Sequence, residues 1–353
     1  MNETGLRKPV VAETRVRKDY FAFLKNRKFL LAFAIGQYLS LCTTSTSIVS
    51  TELANRKQIN IPSTQSFLVY VGLALVYLSF TFYKVGSRGV WKILKKSGWK
   101  YLILAIMDVE ANYFTVKAFQ YTSMLSIMLL DVWAIPVVMF LSFFMLKTRY
   151  RIVQYVGVAT ALVGIGLLIL SDVLAGRITP GGDSVRGDLF CLLGATLYGF
   201  TNVTEEYLVR SRPVYEVIGM LGLFGTIVNG VQLAVLERSE LAGMTWDGET
   251  VGFIILFSAL LFSFYSIAPI LFRLSSSTFF NISMLTSDFY GLIFGLILYH
   301  YTLHWLYPIA YVVIICSIII YNLTSASTED LAKQPPQLID TSDPTVTIDH
   351  ISE

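Results

Sequence analysis

The stretch DVEANYFTVKAFQYTSMLSIMLLD, residues 108–131, carries four charged side chains in an otherwise apolar run. They are Asp108, Glu110, Lys117 and Asp131. A charge at the centre of a bilayer costs at least ~2.5–3.5 kcal/mol on insertion scales, so an isolated one needs a partner or a water-filled cavity. The stretch therefore predicts two membrane helices whose charged side chains pair with one another or face such a cavity.

The composition of the whole chain also predicts a membrane protein. The 353 residues are 54% hydrophobic and 14% charged, and the mean hydropathy of +0.61 is far too apolar for a soluble protein of this size. Apolar windows of about 20 residues, the length with which a helix crosses a bilayer, recur along the chain. We expect an all-α polytopic protein with ten transmembrane helices. They are predicted near 29–51, 64–83, 99–120, 123–146, 152–171, 187–207, 216–236, 249–272, 279–299 and 302–322.

The distribution of basic residues predicts the orientation of these helices. With the N-terminus in the cytosol, 21 Lys and Arg residues fall in cytosolic regions and 5 on the opposite side. Such an excess is typical of cytosolic loops. The basic segment 1–28 has no apolar h-region, so no cleavable signal peptide is expected. The polar and acidic residues 323–353 predict a disordered tail, and both termini should face the cytosol.

A single offset relates the two halves of the chain. Gly36 and Gly194 are 158 residues apart, and Asp131 and Asp288 are 157 apart. This offset maps the first five predicted helices onto the second five, and because five is odd the second half should be inserted upside down. Inverted repeats are typical of secondary transporters, whose solute site lies near the membrane midplane. The predicted units are a first repeat at 29–171, a connecting loop at 172–186 and a second repeat at 187–322.

Several polar positions allow two interpretations. Glu110 and Lys117 are two helical turns apart and share one face with Tyr113. Lys117 and Asp131 form either a buried ion pair that fixes helix register or a part of the transport machinery. Thr44 either faces a cavity or bonds back to its own helix backbone. The sequence leaves these alternatives open.

Other polar residues follow helical spacing. Asp108 and Asn112 are four residues apart, and Tyr198, Asn202 and Glu205 follow an i, i+4, i+7 stripe. We therefore expect each set to occupy one helix face. The candidates for solute binding or coupling are Thr44, Asp108, Glu110, Asn112, Tyr113, Lys117, Asp131, Tyr198, Asn202, Glu205, Tyr265, Asn281 and Asp288.

Acids outnumber bases inside the predicted helices. A site for phosphates normally concentrates Arg or Lys, so this balance predicts a neutral, zwitterionic or cationic solute. Desolvated carboxylates also make protons a candidate coupling ion.

Other function classes lack their signatures. The three cysteines, Cys42, Cys191 and Cys316, fall inside predicted helices, which is typical of packing and not of a metal site or a disulfide framework. The sequence contains neither a G-x-x-x-x-G-K-[ST] phosphate loop nor an H-E-x-x-H pair. We expect no enzyme activity, no catalytic residue, no cofactor, no metal and no nucleic-acid partner. The expected partners are a small-molecule solute and the lipid bilayer.

Longer stretches carry a family resemblance. The run 108–131 is followed by AIPVVM and TRYR, and the chain also contains PSTQSFLVY, GDLFCLLGATLYGFTNVTEEYLVR, GMLGLFGTIVNGVQ and TSDFYGLIFG. Together these stretches resemble subfamily F of solute carrier family 35, within the drug/metabolite transporter superfamily. The similarity runs from about residue 29 to residue 322.

The resemblance implies the drug/metabolite transporter fold, with ten helices in two inverted repeats, and transport without ATP hydrolysis. Similar members are associated with uptake of queuine and queuosine, which implies a nucleobase- or nucleoside-like solute. Queuine bears an amine that acids would bind, and Tyr113, Tyr198 or Tyr265 would stack on its heterocycle. Dimers occur in this superfamily, so a homodimer is a candidate assembly.

Two alternatives remain open at this stage. A nucleotide-sugar antiporter of the Golgi or endoplasmic reticulum would share the architecture, and a membrane receptor or scaffold would bind a ligand without transporting it. The plasma membrane is the preferred location over Golgi and endoplasmic reticulum.

Overall fold

All regular elements in the described part of the chain are helical. The computed structural model describes residues 27–59, 61–174, 184–244, 246–298, 305–313, 316–317 and 320. The helices are α1 (Arg27–Thr51), α2 (Pro62–Leu73), α3 (Ser79–Ala118), α4 (Met124–Leu130), α5 (Ala134–Met145), α6 (Ile152–Leu174), α7 (Ser184–Ser211), α8 (Val214–Leu236), α9 (Arg238–Gly243), α10 (Gly248–Leu274) and α11 (Ser277–Leu298). Short π-helical turns occupy Glu52–Arg56 and Ala74–Leu78, and a 3-10 turn occupies Asp131–Trp133.

Several helices have the length and composition of membrane spans. Within the described residues, four stretches qualify: Pro62–Ala118, Ser126–Met145, Val214–Leu236 and Gly248–Leu274. The first has 57 residues and contains the second and third predicted spans. Helices α1, α6, α7 and α11 coincide in position with four further predicted spans. Much of the tenth, 302–322, lies outside the described residues, so the number of ten spans stays a prediction.

A glycine interrupts the longest of these stretches. Gly86 has φ +71° and ψ 169°, a backbone conformation that residues with a side chain rarely adopt. The helix that begins at Pro62 therefore ends before Gly86, and a second helix runs from residue 87 to Ala118. The break separates the predicted second and third spans, and the part of α3 directly after it, residues 87–100, is basic.

Helix α8 lies against both α2 and α3, and α3 also packs along α7. Helix α1 packs against α10 and α11, and α7 packs against α5. The largest side chains that these contacts bury completely include Tyr70, Tyr101 and Phe272. The candidate functional residues are therefore carried by helices that contact one another across the two predicted halves.

The contact between α8 and the end of α2 depends on three glycines. Gly219, Gly222 and Gly225 are spaced three residues apart. Gly219 faces the π-helical turn Ala74–Leu78, Gly222 faces the junction of this turn with α2, and Gly225 faces the ring of Tyr70 on α2. A Cβ atom on Gly219 would lie 2.8 Å from the amide nitrogen of Leu78, and one on Gly222 would lie 2.8 Å from the carbonyl carbon of Leu73. Small residues of this kind allow helices to approach closely in membranes.

Replacing Gly222 with alanine should destabilise the protein by about 1–3 kcal/mol, because the added methyl group meets backbone that cannot move aside cheaply. The measurement is the thermal denaturation midpoint of the purified protein in detergent. Gly252→Ala on α10 is the matched control, since a Cβ there meets nothing within 4 Å. Equal midpoints for the two variants would contradict the packing argument.

Candidate functional site

The carboxylate of Asp108 on α3 lies at the centre of a buried polar network. Its Oδ2 atom accepts a hydrogen bond of 2.7 Å from the hydroxyl of Tyr70 on the preceding helix. The same oxygen accepts a second bond of 2.7 Å from the hydroxyl of Tyr265 on α10. Donors on a carboxylate favour its charged form. Two phenols from different helices therefore take over the role that water plays for an exposed acid.

Asn112, one turn after Asp108, completes this network. Its Nδ2 atom donates to the hydroxyl of Tyr265 at 2.7 Å and lies 3.0 Å from that of Tyr70. Its Oδ1 atom accepts a 3.0 Å bond from the hydroxyl of Tyr198 on α7. Each of the two phenols on Asp108 is thus held from both sides, which fixes the geometry of the carboxylate.

The network is almost completely enclosed. Tyr70 is 0% exposed, Asn112 3%, Asp108 4% and Tyr265 6%. The rings of Tyr70 and Tyr265 are tilted against each other with their centroids 6.2 Å apart. Within the described residues, no Lys or Arg forms an ion pair with Asp108. The network is therefore an aromatic, acidic site without a compensating basic side chain.

A second buried acid, Glu205 on α7, lies beside this network. It is 6% exposed, and its Oε1 atom has no hydrogen-bond partner in the described structure. Asp108 is the charged group that faces it. Two neighbouring carboxylates in a low-dielectric interior cannot both be ionised cheaply. Because Asp108 has two donors and the Glu205 Oε1 has none, Glu205 is the better place for a proton.

Asp131 lies in a different place, in the wall of a small cavity between the 3-10 turn and α11. The cavity has a volume of only about 20 Å³, far below the roughly 300–1,000 Å³ of typical small-molecule sites. Asn281 also lines it and accepts a 3.3 Å hydrogen bond from the Nδ2 of Asn202. The cavity is lined by Met128, Asp131, Val132, Ile135, Asn281, Met284, Leu285 and Ser287.

Lys117 does not pair with Asp131. Within the described residues no ion pair joins them, and the acids that face Lys117 are Glu237 and Glu240, around the end of α8. Lys117 lies in the last turn of α3. Glu110 instead accepts a 3.2 Å bond from Gln232 of α8. The ion-pair interpretation of the 108–131 hairpin was therefore wrong.

Three further candidates lie outside the Asp108 network. The hydroxyl of Thr44 donates to the carbonyls of Ser40 and Ser287, at 3.0 and 3.1 Å, so it serves the packing of α1 on α11. The ring of Tyr113 packs edge-on against Phe114. Asp288 belongs to α11, but its side chain lies outside the described residues.

Tyr70 is the site residue that the sequence analysis missed. It ends the stretch PSTQSFLVY in an apolar window with no charge nearby, so spacing from an acid could not find it. The available signal was its hydroxyl, because a tyrosine buried in a membrane helix needs a hydrogen-bond partner.

Ion pairs join the loop after α1 to the start of α10. Lys57 lies 2.7 Å from both Asp247 and Glu249, and Arg56 lies 2.9 Å from Glu249. The hydrogen bond to Asp247, followed by that to Glu249, raises the pKa of the Lys57 amine. The bond from Lys57, followed by that from Thr250, lowers the pKa of Asp247. Both shifts favour the charged pair.

Comparison with known proteins identifies relatives over most of the chain. The family model SLC35F, Solute carrier family 35, matches residues 25–323. An uncharacterized solute carrier family 35 member of Schizosaccharomyces pombe is 42% identical over 315 residues, which cover 88% of this chain and 61% of the yeast protein. Solute carrier family 35 member F2 of Mus musculus is 39% identical over 325 residues, 92% of this chain and 84% of the mouse protein. The chain thus spans less than two thirds of the yeast relative's length.

A solved structure shares the arrangement of the helices. This crystal structure superposes with a TM-score of 0.59 at 17% identity and covers 85% of this chain and 99% of the other. At that identity the likeness shows the fold alone.

The ion pairs of Lys57 with Asp247 and Glu249 should stabilise the protein by a constant amount between about pH 5 and 9. Because the pKa of Asp247 is lowered in the folded state, its carboxylate contributes fully to stability above the ordinary pKa of ~3.9. This contribution is lost as the pH falls through the lowered pKa of the folded state. The raised pKa of Lys57 means that its contribution is complete below ~10.4 and is lost at higher pH. The measurement is the difference in denaturation midpoint between the wild type and Lys57→Gln across this range.

The expected difference is flat from pH 5 to 9 and shrinks below about pH 4. Arg238→Gln, a nearby exposed base without an ion pair in the described structure, is the control and should show little difference at any pH. A difference for Lys57→Gln that changes steeply near pH 6–7 would contradict the assignment.

Proposed function

The chain belongs to subfamily F of solute carrier family 35, and from this premise we propose that it carries a small cationic or zwitterionic solute of nucleobase or nucleoside type as a secondary transporter. It is a multi-pass membrane protein of a transporter family. The observation that carries the proposal is the buried carboxylate of Asp108, which two phenols hold in place and no basic side chain neutralises. A buried charge of this kind is a functional feature by default in a membrane helix.

The Asp108 network lies where the two proposed halves of the protein meet. Tyr70, Asp108 and Asn112 belong to residues 29–171, whereas Tyr198 and Tyr265 belong to 187–322. A rocking motion of one half against the other would therefore open or close the site, which is the alternating-access mechanism of repeat-based transporters.

The packing of the helices supports the inverted repeat. The offset of about 157 residues maps α1 onto α7, α3 onto α10, and the single span formed by α4 and α5 onto α11. Helix α1 packs on α10 and α11, and α7 correspondingly packs on α3 and α5. Helices α2 and α8, which the offset also relates, pack on each other. If each helix is replaced by the one that the offset relates to it, the same set of contacts results. This is the relation that a pseudo-twofold axis between the halves would produce.

The chemistry of the site favours a positively charged heterocycle. An anionic carboxylate attracts an amine, and tyrosine rings bind cations and flat heterocycles through their faces. A phosphate would meet Asp108 and Glu205 without a nearby base. Queuine, which resemblance to similar members implies, combines a heterocycle with an amine, whereas a nucleotide sugar carries phosphates. We therefore favour queuine-like solutes over nucleotide sugars, and the plasma membrane over the Golgi.

Transport of labelled queuine into proteoliposomes tests the proposal. The wild type should show saturable uptake that unlabelled nucleosides inhibit and nucleotide sugars do not. Asp108→Asn should lower uptake at least about tenfold, because it removes the buried charge that binds the solute. Lys147→Gln, which removes an exposed charge in the loop after α5, is the control and should transport at the wild-type rate.

Each alternative has its own outcome in this assay. Inhibition by low concentrations of nucleotide sugars would favour the nucleotide-sugar antiporter. Saturable binding of queuine without flux would indicate a receptor. Wild-type transport by Asp108→Asn would overturn the site assignment, provided that the protein is inserted and folded.

Glu205 should carry the coupling proton. A solute cation at Asp108 neutralises the charge that holds the proton on Glu205, so solute binding should release this proton. Proton exchange of this kind predicts that liposomes with an acidic interior accumulate the solute, by about tenfold per pH unit for one proton. Glu205→Gln should lose this accumulation but keep exchange of labelled for unlabelled solute. Accumulation by Glu205→Gln at the wild-type level would assign the proton elsewhere.

A further inference from the structure

The first part of the helix after Gly86 presents a basic surface. The basic face consists of Arg88, Lys92, Lys95, Lys96 and Lys100, together with Lys84 just before the break. Residues 79–107 contain no Asp or Glu. Within the described residues, none of the six basic side chains forms an ion pair. The helix therefore carries a local excess of positive charge that the described part of the protein leaves uncompensated.

The helix periodicity separates this face from the protein core. Val90, Ser97, Gly98 and Tyr101 are buried and lie on one side of the helix. The exposed Arg88, Lys92, Lys95 and Lys96 lie on the opposite side. Lys100 is half-buried at the edge of this face, and its amine also lies 5.5 Å from the ring centre of Tyr207. The helix is thus anchored to the fold by its apolar side, and the basic side is held outward in a fixed arrangement and not on a flexible loop.

Two exposed tryptophans accompany the bases. Trp91 and Trp99 are each 61% exposed. The Lys95 amine lies 5.5 Å from the ring centre of Trp91, and the Lys100 amine lies 5.7 Å from that of Trp99. Tryptophan prefers the boundary between hydrocarbon and water, where its ring is apolar and its N–H is hydrated. Lysines and indoles on one surface are therefore suited to the headgroup layer.

The segment from Lys95 to Trp99 lies near the height of the headgroup layer, and the residues before it lie on the aqueous side. At 1.5 Å per residue, Trp99 lies about 13 Å and Lys95 about 20 Å along the helix axis from Asp108, whereas Trp91 and Arg88 lie about 26 and 30 Å away. The headgroup layer extends from about 15 to 22 Å from the midplane. This step takes the Asp108 network to be near the midplane, as the proposed function requires.

We propose that the basic face of α3, with Trp91 and Trp99, binds the phosphate groups of anionic phospholipids at the cytosolic membrane surface. The excess of basic residues on the predicted cytosolic side agrees with this location. The bases attract anionic lipids by electrostatics, while the Trp99 indole lies at the boundary with the acyl chains and the Trp91 indole contacts the headgroups from the aqueous side.

The acidic segment 323–353 of the same chain is a competing partner for this surface. It contains six acids and one lysine but no Phe, Trp or Tyr. Electrostatic attraction to the segment would account for the lysines, yet it would leave the two exposed indoles without an apolar partner. A membrane surface accounts for both, so the lipid is the favoured partner.

The test is a binding isotherm of the full-length, detergent-purified protein with short-chain phosphatidylserine, and with phosphatidylcholine for comparison. We expect phosphatidylserine to bind more tightly, with an affinity that falls as salt increases. Lys95→Gln with Lys96→Gln should weaken phosphatidylserine binding by about 30-fold, at roughly fivefold for each lysine near the surface. The matched control is Lys147→Gln with Arg149→Gln, two exposed bases in another loop of the predicted cytosolic side.

Several outcomes would overturn the proposal. Equal binding of the two lipids would remove the electrostatic basis, and equal losses in the two double variants would show a general charge effect and not a site. Inorganic phosphate that competes as well as the lipid would indicate a soluble anion. A synthetic 323–353 peptide that binds more tightly than the lipid, and loses binding in Lys95→Gln with Lys96→Gln, would identify the acidic segment as the partner. None of these readouts involves transport, so a failure here is distinct from a failure of the proposed function.

Discussion

A carboxylate that is removed from water must be hydrogen-bonded, and the arrangement of helices around Asp108 follows from this requirement. An unsatisfied buried acid costs far more than a satisfied one contributes, so its donors have to be present in the folded state. Tyr70 and Tyr265 supply them from two different helices, and Asn112 and Tyr198 hold these donors in turn. A polar contact therefore fixes the rotation of each helix around the acid and its position along the membrane normal. Apolar packing in a bilayer specifies these two quantities only weakly.

Helix α8 contributes to the same site without providing a polar ligand. A Cβ atom on Gly225 would lie 2.8 Å from the Cγ of Tyr70, so the glycine leaves the space in which this ring lies. At the end of α8, Glu237 accepts bonds of 2.5 and 2.8 Å from the backbone nitrogens of Ser63 and Thr64. It thereby caps the first turn of α2, where a carboxylate is favoured by the free N–H groups and the helix dipole. Helix α8 thus fixes the position of α2 through Gly225 and through Glu237. These two contacts place the Tyr70 hydroxyl against Asp108.

The sequence predicted those features that depend on local periodicity. Window lengths located the helices, and the four-residue spacing of Asp108 and Asn112 placed both on the face that the structure brings to Tyr265. Contacts between helices were harder, because the sequence does not specify how each helix is rotated about its axis. Lys117 was assigned to Asp131 as the nearest acid along the chain, whereas the helix end brings it to the acids around the end of α8. Tyr70 was missed for the same reason, since its role depends on an acid 38 residues away.

The unequal surroundings of the two acids at the proposed site determine the sign of coupling. In the proposed mechanism Asp108 is the charged member of the pair because two phenols donate to it, and Glu205, whose Oε1 lacks a donor among the described residues, faces that charge. While the site is empty, the pair is least costly with a single negative charge and a proton on Glu205. A cationic solute at Asp108 removes the repulsion that opposes ionisation of Glu205. With both bound the site is neutral, because Asp108 carries −1, the solute +1 and protonated Glu205 no charge. Solute and proton nevertheless weaken each other's binding, because each reduces the negative charge that attracts the other. We therefore infer that a carrier built on this pair favours exchange of a solute cation for a proton over movement of the two together.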